Sequence, residues 1–297
     1  VSTVRIATRG SDLALWQANF VKHALEVLGH TVELVLVETQ GDRDGRPFGE
    51  MTGQGFFTKA VQDALLDDRA DVAVHSHKDL PSATMPGLEI AAVPVRANPR
   101  DVLLVRPDAI RQGDALPVAE GAAVGTSAAR RRRQIATLRP DLELRELRGN
   151  VPTRVQKLRD GHYDAIVLAA AGLERLALDL SDLHYAQIEP DVLVPAPAQG
   201  ALALEVRRDA YDVASLLTDL HDPFSYRTVA AERGLMAMLQ GGCQLALGAH
   251  AEYFDGSVKL RAWYEGVGCQ VEHPSAEGAA MLAYEALGRP APRQGTS

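Results

Sequence analysis

Three groups of residues have the types and spacing that chemistry needs. The first is Lys78–Asp79 in SHKDLP, directly after the β-rich run Asp71–His75. A carboxylate at a strand's carboxyl end can be fixed by its neighbours while facing a cleft. That suits proton transfer or stabilisation of a positive intermediate; an ordinary charged turn is the competing reading. His75 and His77 sit at the same place, but no complementary ligand set accompanies them, so a strand histidine satisfied by hydrogen bonds competes with a metal ligand. The second group is Cys243 in QGGCQ, where two glycines at a helix end leave an accessible loop. A thiolate there could attack a substrate or carry a covalent group, against the alternative of a small buried cysteine. A cysteine hydrolase would need a base, for which His250 is only a nominal candidate, and zinc would need more ligands than Cys243 and Cys269. The third group is Arg130–Arg133, after GTS at a predicted helix start. Free backbone N–H groups and guanidinium forks together favour an anion there. At roughly 100° per residue four consecutive arginines cannot share one face. Two aimed into a cleft with the others solvated competes with a wholly solvated run. Arg148, in LRGNVPTR, and Arg154 could extend the same basic surface.

Composition bears on the third group. The 297 residues carry 31 basic and 39 acidic side chains, a net charge of −8. That excludes a general electrostatic affinity for nucleic acid or anionic membrane. The cations are 26 Arg against 5 Lys, and 13 of the Arg lie between Arg96 and Arg159. Genomic base composition would scatter arginine over solvated faces and does not explain the clustering. A guanidinium offers carboxylate or phosphate a bidentate fork, so an anionic ligand, met locally, is expected. Aromatic residues, at 5%, offer little stacking for a nucleic acid. No apolar run approaches the ~20 residues that span a bilayer, and Val1–Arg9 lacks the layout of a secretory signal. A cytoplasmic protein without membrane or nucleic-acid partners is expected.

Alternating strands and helices must position these groups. Thr3–Arg9 reads as a strand, and Ser11 as the N-cap of a helix in which Leu13, Trp16, Phe20, Ala24 and Val27 follow helical spacing. Thr31–Thr39 is β-rich. The Gly-rich stretch from Gly41 to Gly55, of the kind that forms lids or stays disordered, precedes a helix from Phe57 to about Leu66. Gly121–Gly125 and Leu142–Leu147 read as strands, Ala128–Leu138 and Val151–Asp160 as helices. ATRGSDLAL resembles VGTSAARRR, and DRADVAVHS resembles GHYDAIVLA, in the same order. Two similar α/β lobes would explain this; so would general strand-to-helix grammar. Pro-rich crossings at Pro94–Arg100 and Val194–Gly200 make the first lobe discontinuous, 1–97 plus 198–218, around a second lobe at 98–197. A small third α/β domain is expected over 219–297, with a helix through Leu239, strands in Leu245–Tyr253 and Val258–Glu265, and an Ala-rich helix to Leu287.

In order along the chain, RIATRGSDLALWQA, ADVAVHSHKDLP, NPRD, GTSAARR, LRGNVPTR, YDAIVLAAAGLERL, PAPAQGA and GGCQLALG closely resemble the porphobilinogen deaminase (hydroxymethylbilane synthase) family, from Val4 to about Glu265. The resemblance implies an α/β protein of three domains, the first two like the type II periplasmic-binding-protein fold around a cleft, the third carrying a cofactor cysteine. It implies a monomeric transferase of haem-type tetrapyrrole biosynthesis that condenses four porphobilinogen molecules head to tail into hydroxymethylbilane, releasing four ammonia molecules, with no metal or nucleotide. Its cofactor would be dipyrromethane, joined to Cys243 through a thioether, with the oligopyrrole growing from the free end.

By the same resemblance Asp79 is the catalytic carboxylate. Lys78, Ser76, Thr126, Ser127, Arg130, Arg131 and Arg148 would hold the cofactor, and Arg9, Ser11, Phe57, Arg154 and Arg175 the substrate. Arg132 and Arg133 have no such assignment. Each porphobilinogen carries acetate and propionate, which gives clustered arginines a purpose. The chain departs from the family where Glu50 and Gln54 replace lysines, His77 an apolar residue, Ala128 a serine and Gln240 an acidic residue. These changes bear on loop closure, rate and cofactor loading. A bilobed anion-binding module is the competing class; it explains the lobes and arginines but not Lys78–Asp79 together with GGC.

Overall fold

A computed structural model describes residues 3–38, 58–113, 115–239 and 245–289. Its α/β alternation begins with β1 (Thr3–Thr8), α1 (Asp12–Val27) and β2 (Thr31–Leu36). Two stripes in α1 satisfy helical spacing. The aliphatic one is buried, as Ala18, Val21 and Leu25 beside Gln17, while Trp16 and Phe20 stack on each other on the exposed side, ring centroids 5.7 Å apart. Shorter side chains let the helix lie close to the sheet, and the expected aromatic stripe is therefore the outer one.

Residues 1–97 and 201–227 form one compact unit. It adds α2 (Lys59–Leu66), β3 (Val72–Ser76), a single 3₁₀ turn over His77–Asp79, β4 (Leu88–Ala92), β10 (Leu202–Arg207) and α6 (Tyr211–Leu216). The sheet order is β2-β1-β3-β10-β4, with β1 parallel to both neighbours and β10 antiparallel to both of its own. Val4 and Ile6 pack with Ala18, Val21 and Leu25, whereas Ala7 packs with Val61, Ala64 and Leu65 of α2. The sheet is thus covered on both faces, as parallel strands require.

Residues 98–200 and 228–297 form the other unit. It holds β5 (Asp101–Val105), β6 (Ala123–Gly125), α3 (Ala129–Leu138), β7 (Glu143–Arg145), α4 (Val151–Arg159), β8 (Ala165–Ala169), α5 (Ala170–Leu176) and β9 (His184–Ile188). The sheet order β7-β6-β8-β5-β9 repeats the first pattern: three parallel strands, then a return. The two internal sequence matches fall at equivalent places, β1 with β6 and β3 with β8. Their aspartates do the same work. Asp71 Oδ2 accepts the Arg5 backbone N–H and Asp164 Oδ2 that of Ala123, each at 2.8 Å, so an acidic residue before one strand fixes the start of its parallel neighbour in both sheets.

The same unit contains a C-terminal meander of β11 (Gly248–Phe254), β12 (Ser257–Tyr264) and β13 (Val267–His273) with α8 (Ala276–Ala286). Its hairpins turn on Asp255–Gly256 and Glu265–Gly266, all four with positive φ, as two-residue primed turns demand. Leu235, Met236 and Leu239, in and just after α7 (Pro223–Met238), share a separate apolar core with Leu260, Ala279, Ala280 and Ala283. Among the described residues no helix is long and apolar enough to cross a membrane.

Candidate functional site

In the first unit the expected residues gather at the carboxyl ends of β1 and β3, which are parallel with Ile6 beside Val72 and Ala7 beside Ala73. Arg9 and Ser11 follow β1, and Ser11 occupies the N-cap of α1 with its C=O accepting from Leu15 N at 2.9 Å. Strand β3 stops at Ser76, short of Pro81, and coils through the turn His77–Asp79. His77 N donates to Ala201 O at 3.0 Å, and buried Leu80 anchors the far side of the turn. Lys78 is half-buried and Asp79 exposed, so this aspartate stands at the surface on a fixed base. Gln17, buried on α1, donates from Nε2 to Ser76 Oγ at 2.8 Å. Sequence reasoning missed Gln17; its polarity within the buried stripe of α1 was the available signal. His75 is the hydrogen-bonded strand histidine, bound to Glu205, and His77 is buried.

In the second unit the expected residues again follow parallel strands. Thr126, buried after β6, donates from its backbone to Arg145 O at 2.9 Å, and Ser127 Oγ donates to Leu147 O. Ala128 is the N-cap of α3 and has no side chain to cap with. The four-arginine run divides two and two. Arg130 and Arg131 are 4% and 6% exposed, while Arg133 lies outside and pairs with Glu265. The anion the buried pair meets is the protein's own. Asp101 Oδ2 accepts from Arg130 Nη2 at 2.7 Å, and Oδ1 from Arg131 Nε and Nη2 at 3.1 and 2.7 Å. The remaining N–H groups reach Val194 O and Val167 O at 2.7 and 2.9 Å. Gln199 adds a third donor to Asp101 at 2.9 Å. Burial alone would raise the Asp101 carboxyl, but the charges of Arg130 and Arg131 outweigh it and hold the group well below the carboxylate range.

The stretch that carries Gln199 is built for this. Ala198 has φ 60°, a left-handed position unusual for alanine, and its N–H is held by buried Glu232 at 2.6 Å. Neither Asp101 nor Gln199 nor Glu232 was singled out from sequence; NPRD and PAPAQG contain the first two.

The other arginines differ. Arg148 forks onto Glu146 at 2.6 and 3.0 Å. Arg175 donates to Gly200 O at 2.8 Å, and burial pushes it down to about 10 against the opposing charge of Glu174. Arg154 donates to Gly149 O at 2.7 Å and makes no ion pair among the described residues. Burial and then the neighbouring Arg131 charge push it down to about 10. A guanidinium stays protonated in proteins, so Arg154 keeps its positive charge here, half-buried beside Arg131. Cys243, Phe57, Glu50, Gln54 and Gln240 lie outside the described residues.

Residues 4–215 match a family model described as porphobilinogen deaminase, dipyromethane cofactor binding domain, and residues 226–272 its C-terminal domain. The chain belongs to the porphobilinogen deaminase family. Porphobilinogen deaminase of Syntrophobacter fumaroxidans is 47% identical over 261 residues, covering 86% of this chain and 82% of that one. That of Mycobacterium ulcerans is 48% identical over 249 residues, covering 84% and 77%. Among solved structures, the periplasmic VFT2 domain of Bordetella pertussis BvgS aligns with 73% of this chain and 86% of its own, at 16% identity and a TM-score of 0.46. An anionic cofactor or substrate fits the residues present, because Arg154 offers half-buried positive charge that no ion pair among the described residues matches.

Proposed function

We propose how this chain's residues divide the work of its family's reaction. The protein is a deaminating transferase of tetrapyrrole biosynthesis, condensing four porphobilinogen molecules head to tail into hydroxymethylbilane. Dipyrromethane, when bound, supplies the terminal pyrrole carbon from which the product grows. Cys243 anchors that cofactor, in a C-terminal domain over 219–297 distinct from lobes at 1–97 plus 198–218 and at 98–197. Arg154, with Arg9 and Arg175, takes the carboxylates of incoming substrate, helped by Ser11 and Phe57. Lys78, Ser76, Thr126, Ser127, Arg130, Arg131 and Arg148 form the cradle of the cofactor, Arg130 and Arg131 being set in place by Asp101.

Asp79 assists departure of the substrate amino group, stabilises the cation left behind, and takes the ring proton once the new carbon–carbon bond has formed. Its exposed position on a turn locked by Ala201 and Leu80 supports this role. The observation that carries the substrate reading is Arg154, a half-buried cation with no ion-pair partner among the described residues, in a family that handles acetate and propionate groups. The protein works as a cytoplasmic monomer on porphobilinogen and the growing oligopyrrole, without nucleic-acid or membrane partners.

Intact-protein mass before and after porphobilinogen addition tests the scheme. A covalent dipyrrole, then stepwise pyrrole increments, is expected. Asp79→Asn should fold and carry the cofactor but not elongate, and Cys243→Ser should lack the covalent group. Normal elongation by the first, or normal cofactor mass on the second, would refute that residue's role.

A further inference from the structure

One buried polar group has no part in the scheme above. Glu205 on β10 is 1% exposed, and its carboxylate meets two side chains from two other elements. His75 Nε2, on β3, lies 2.9 Å from Oε2, and Gln62 Nε2, on α2, donates to both oxygens at 3.0 and 3.1 Å. His75 and Gln62 are themselves 5% and 4% exposed. Among the described residues no lysine or arginine pairs with Glu205, and its side-chain partners there are His75 and Gln62. Apolar side chains of similar volume would fill such a place at no loss of stability, since burying charge is costly even when it is paired. What an apolar filling lacks is direction. A strand of small and aliphatic residues can slide or tilt, whereas a histidine–carboxylate contact has one geometry.

The place where that geometry acts is specific. His75 immediately precedes Ser76, and the turn His77–Asp79 begins one residue later. β10 runs antiparallel to β3 with Ala203 opposite His75 and Leu202 opposite Ser76, and Gln17 holds Ser76 from the other side. We propose that His75 and Glu205, braced by Gln62, are positioning residues that fix the carboxyl end of β3 and so aim Asp79. The inference rests on Asp79 being the catalytic carboxylate.

Two substitutions separate this from a contribution to stability alone. Glu205→Leu removes the link, and Glu205→Gln keeps an amide oxygen for His75 Nε2. Turnover is measured well below each variant's melting temperature, together with amide hydrogen exchange. Glu205→Leu should lower kcat about tenfold or more, the scale of a small misplacement of a reacting group, with KM for porphobilinogen nearly unchanged. Exchange should quicken in 74–80 but not in β1, and Glu205→Gln should recover most of both. A folded Glu205→Leu protein with wild-type kcat and exchange would overturn the proposal, as would uniform quickening across the sheet that Glu205→Gln does not reverse. If Glu205→Leu does not fold, His75→Gln, which can still reach Glu205, is compared with the shorter His75→Asn; equal kcat values overturn the proposal, and loss in the Asn variant alone supports it. Asp79→Asn runs alongside. Normal turnover there would fell the assignment of Asp79 and this inference with it, whereas a dead Asp79→Asn beside a normal Glu205→Leu would fell only the positioning role.

Discussion

Asp101→Asn is the sharpest perturbation the second unit offers. The substitution keeps size and shape but removes the one carboxylate that faces both Arg130 and Arg131. It also turns one oxygen into an N–H donor, aimed at guanidinium groups that can only donate. Two cations, 4% and 6% exposed, are then left without an ion-pair partner that either now has. Removing one member of a buried pair costs about 3–5 kcal/mol. In a unit of this size each kcal/mol moves the melting temperature by about 2–4 °C, so a fall of roughly 6–20 °C is expected. That is a large part of a total stability of about 5–15 kcal/mol. Melting followed by circular dichroism or calorimetry measures it, with Glu143→Gln as control, because the Glu143–Arg145 pair is exposed and should barely register. The apolar triple replacement Asp101→Leu, Arg130→Met, Arg131→Met should regain much of the loss, since it leaves no orphaned charge. An Asp101→Asn protein that melts within about 2 °C of wild type, on the same scale, would refute the reasoning.

The same carboxylate sets an acid limit. Its folded value lies below its unfolded one, so its contribution is complete above about pH 4 and is lost as pH falls toward the folded value. Wild type should therefore lose stability on acidification below about pH 4 along a limb that Asp101→Asn lacks, as equilibrium unfolding at stepped pH would show. Arg154→Gln should lower kcat/KM about tenfold to a hundredfold, the worth of one charge-assisted contact, with little change in melting because a half-buried cation without an ion pair among the described residues is what is removed; unaltered kcat/KM would remove Arg154 from the substrate site. Gly248→Ala would place a Cβ 2.7 Å from Val194 Cβ and 2.8 Å from Val194 O, and crowding against backbone should cost about 1–3 kcal/mol in urea unfolding.

The alternating lobes were legible because their signals are local. A strand, a Gly- or Ser-bearing turn and a periodic helix occupy about 25 consecutive residues, so β1–α1–β2 and β6–α3–β7 could be read within a few residues of their observed bounds. β13 was not read. Its sequence VGCQVEH is polar on the open face and half-buried on the other, and it shows as a strand only through seven pairings with β12. The Glu265–Gly266 turn was the one local clue. β10 escaped for a related reason, because LALEVR places a glutamate where an apolar residue would complete the pattern, and only His75 and Gln62, far away in sequence, make that glutamate tolerable.

The arginine cluster shows where residue type stops being informative. Arg130 and Arg131 seek an anion, as their chemistry demands, and the fold supplies one from Asp101 at the far side of the sheet's sequence. Arg148 is likewise met by Glu146, two residues before it, whereas Arg154 meets none among the described residues. Counting arginines therefore overstates the number of open anion sites. Pairing also limits how much repulsion the cluster stores, since Asp101 cancels one of two adjacent charges and lets Arg131 stand close enough to Arg154 to press on its charge. Removing Asp101 should thus do more than destabilise. It should raise the local positive potential, and with it affinity for polycarboxylate product, so that the surviving folded fraction releases hydroxymethylbilane more slowly than it condenses it. Accumulated late oligopyrrole adducts in the intact mass spectrum of Asp101→Asn would mark that effect, and adducts distributed as in wild type would rule it out.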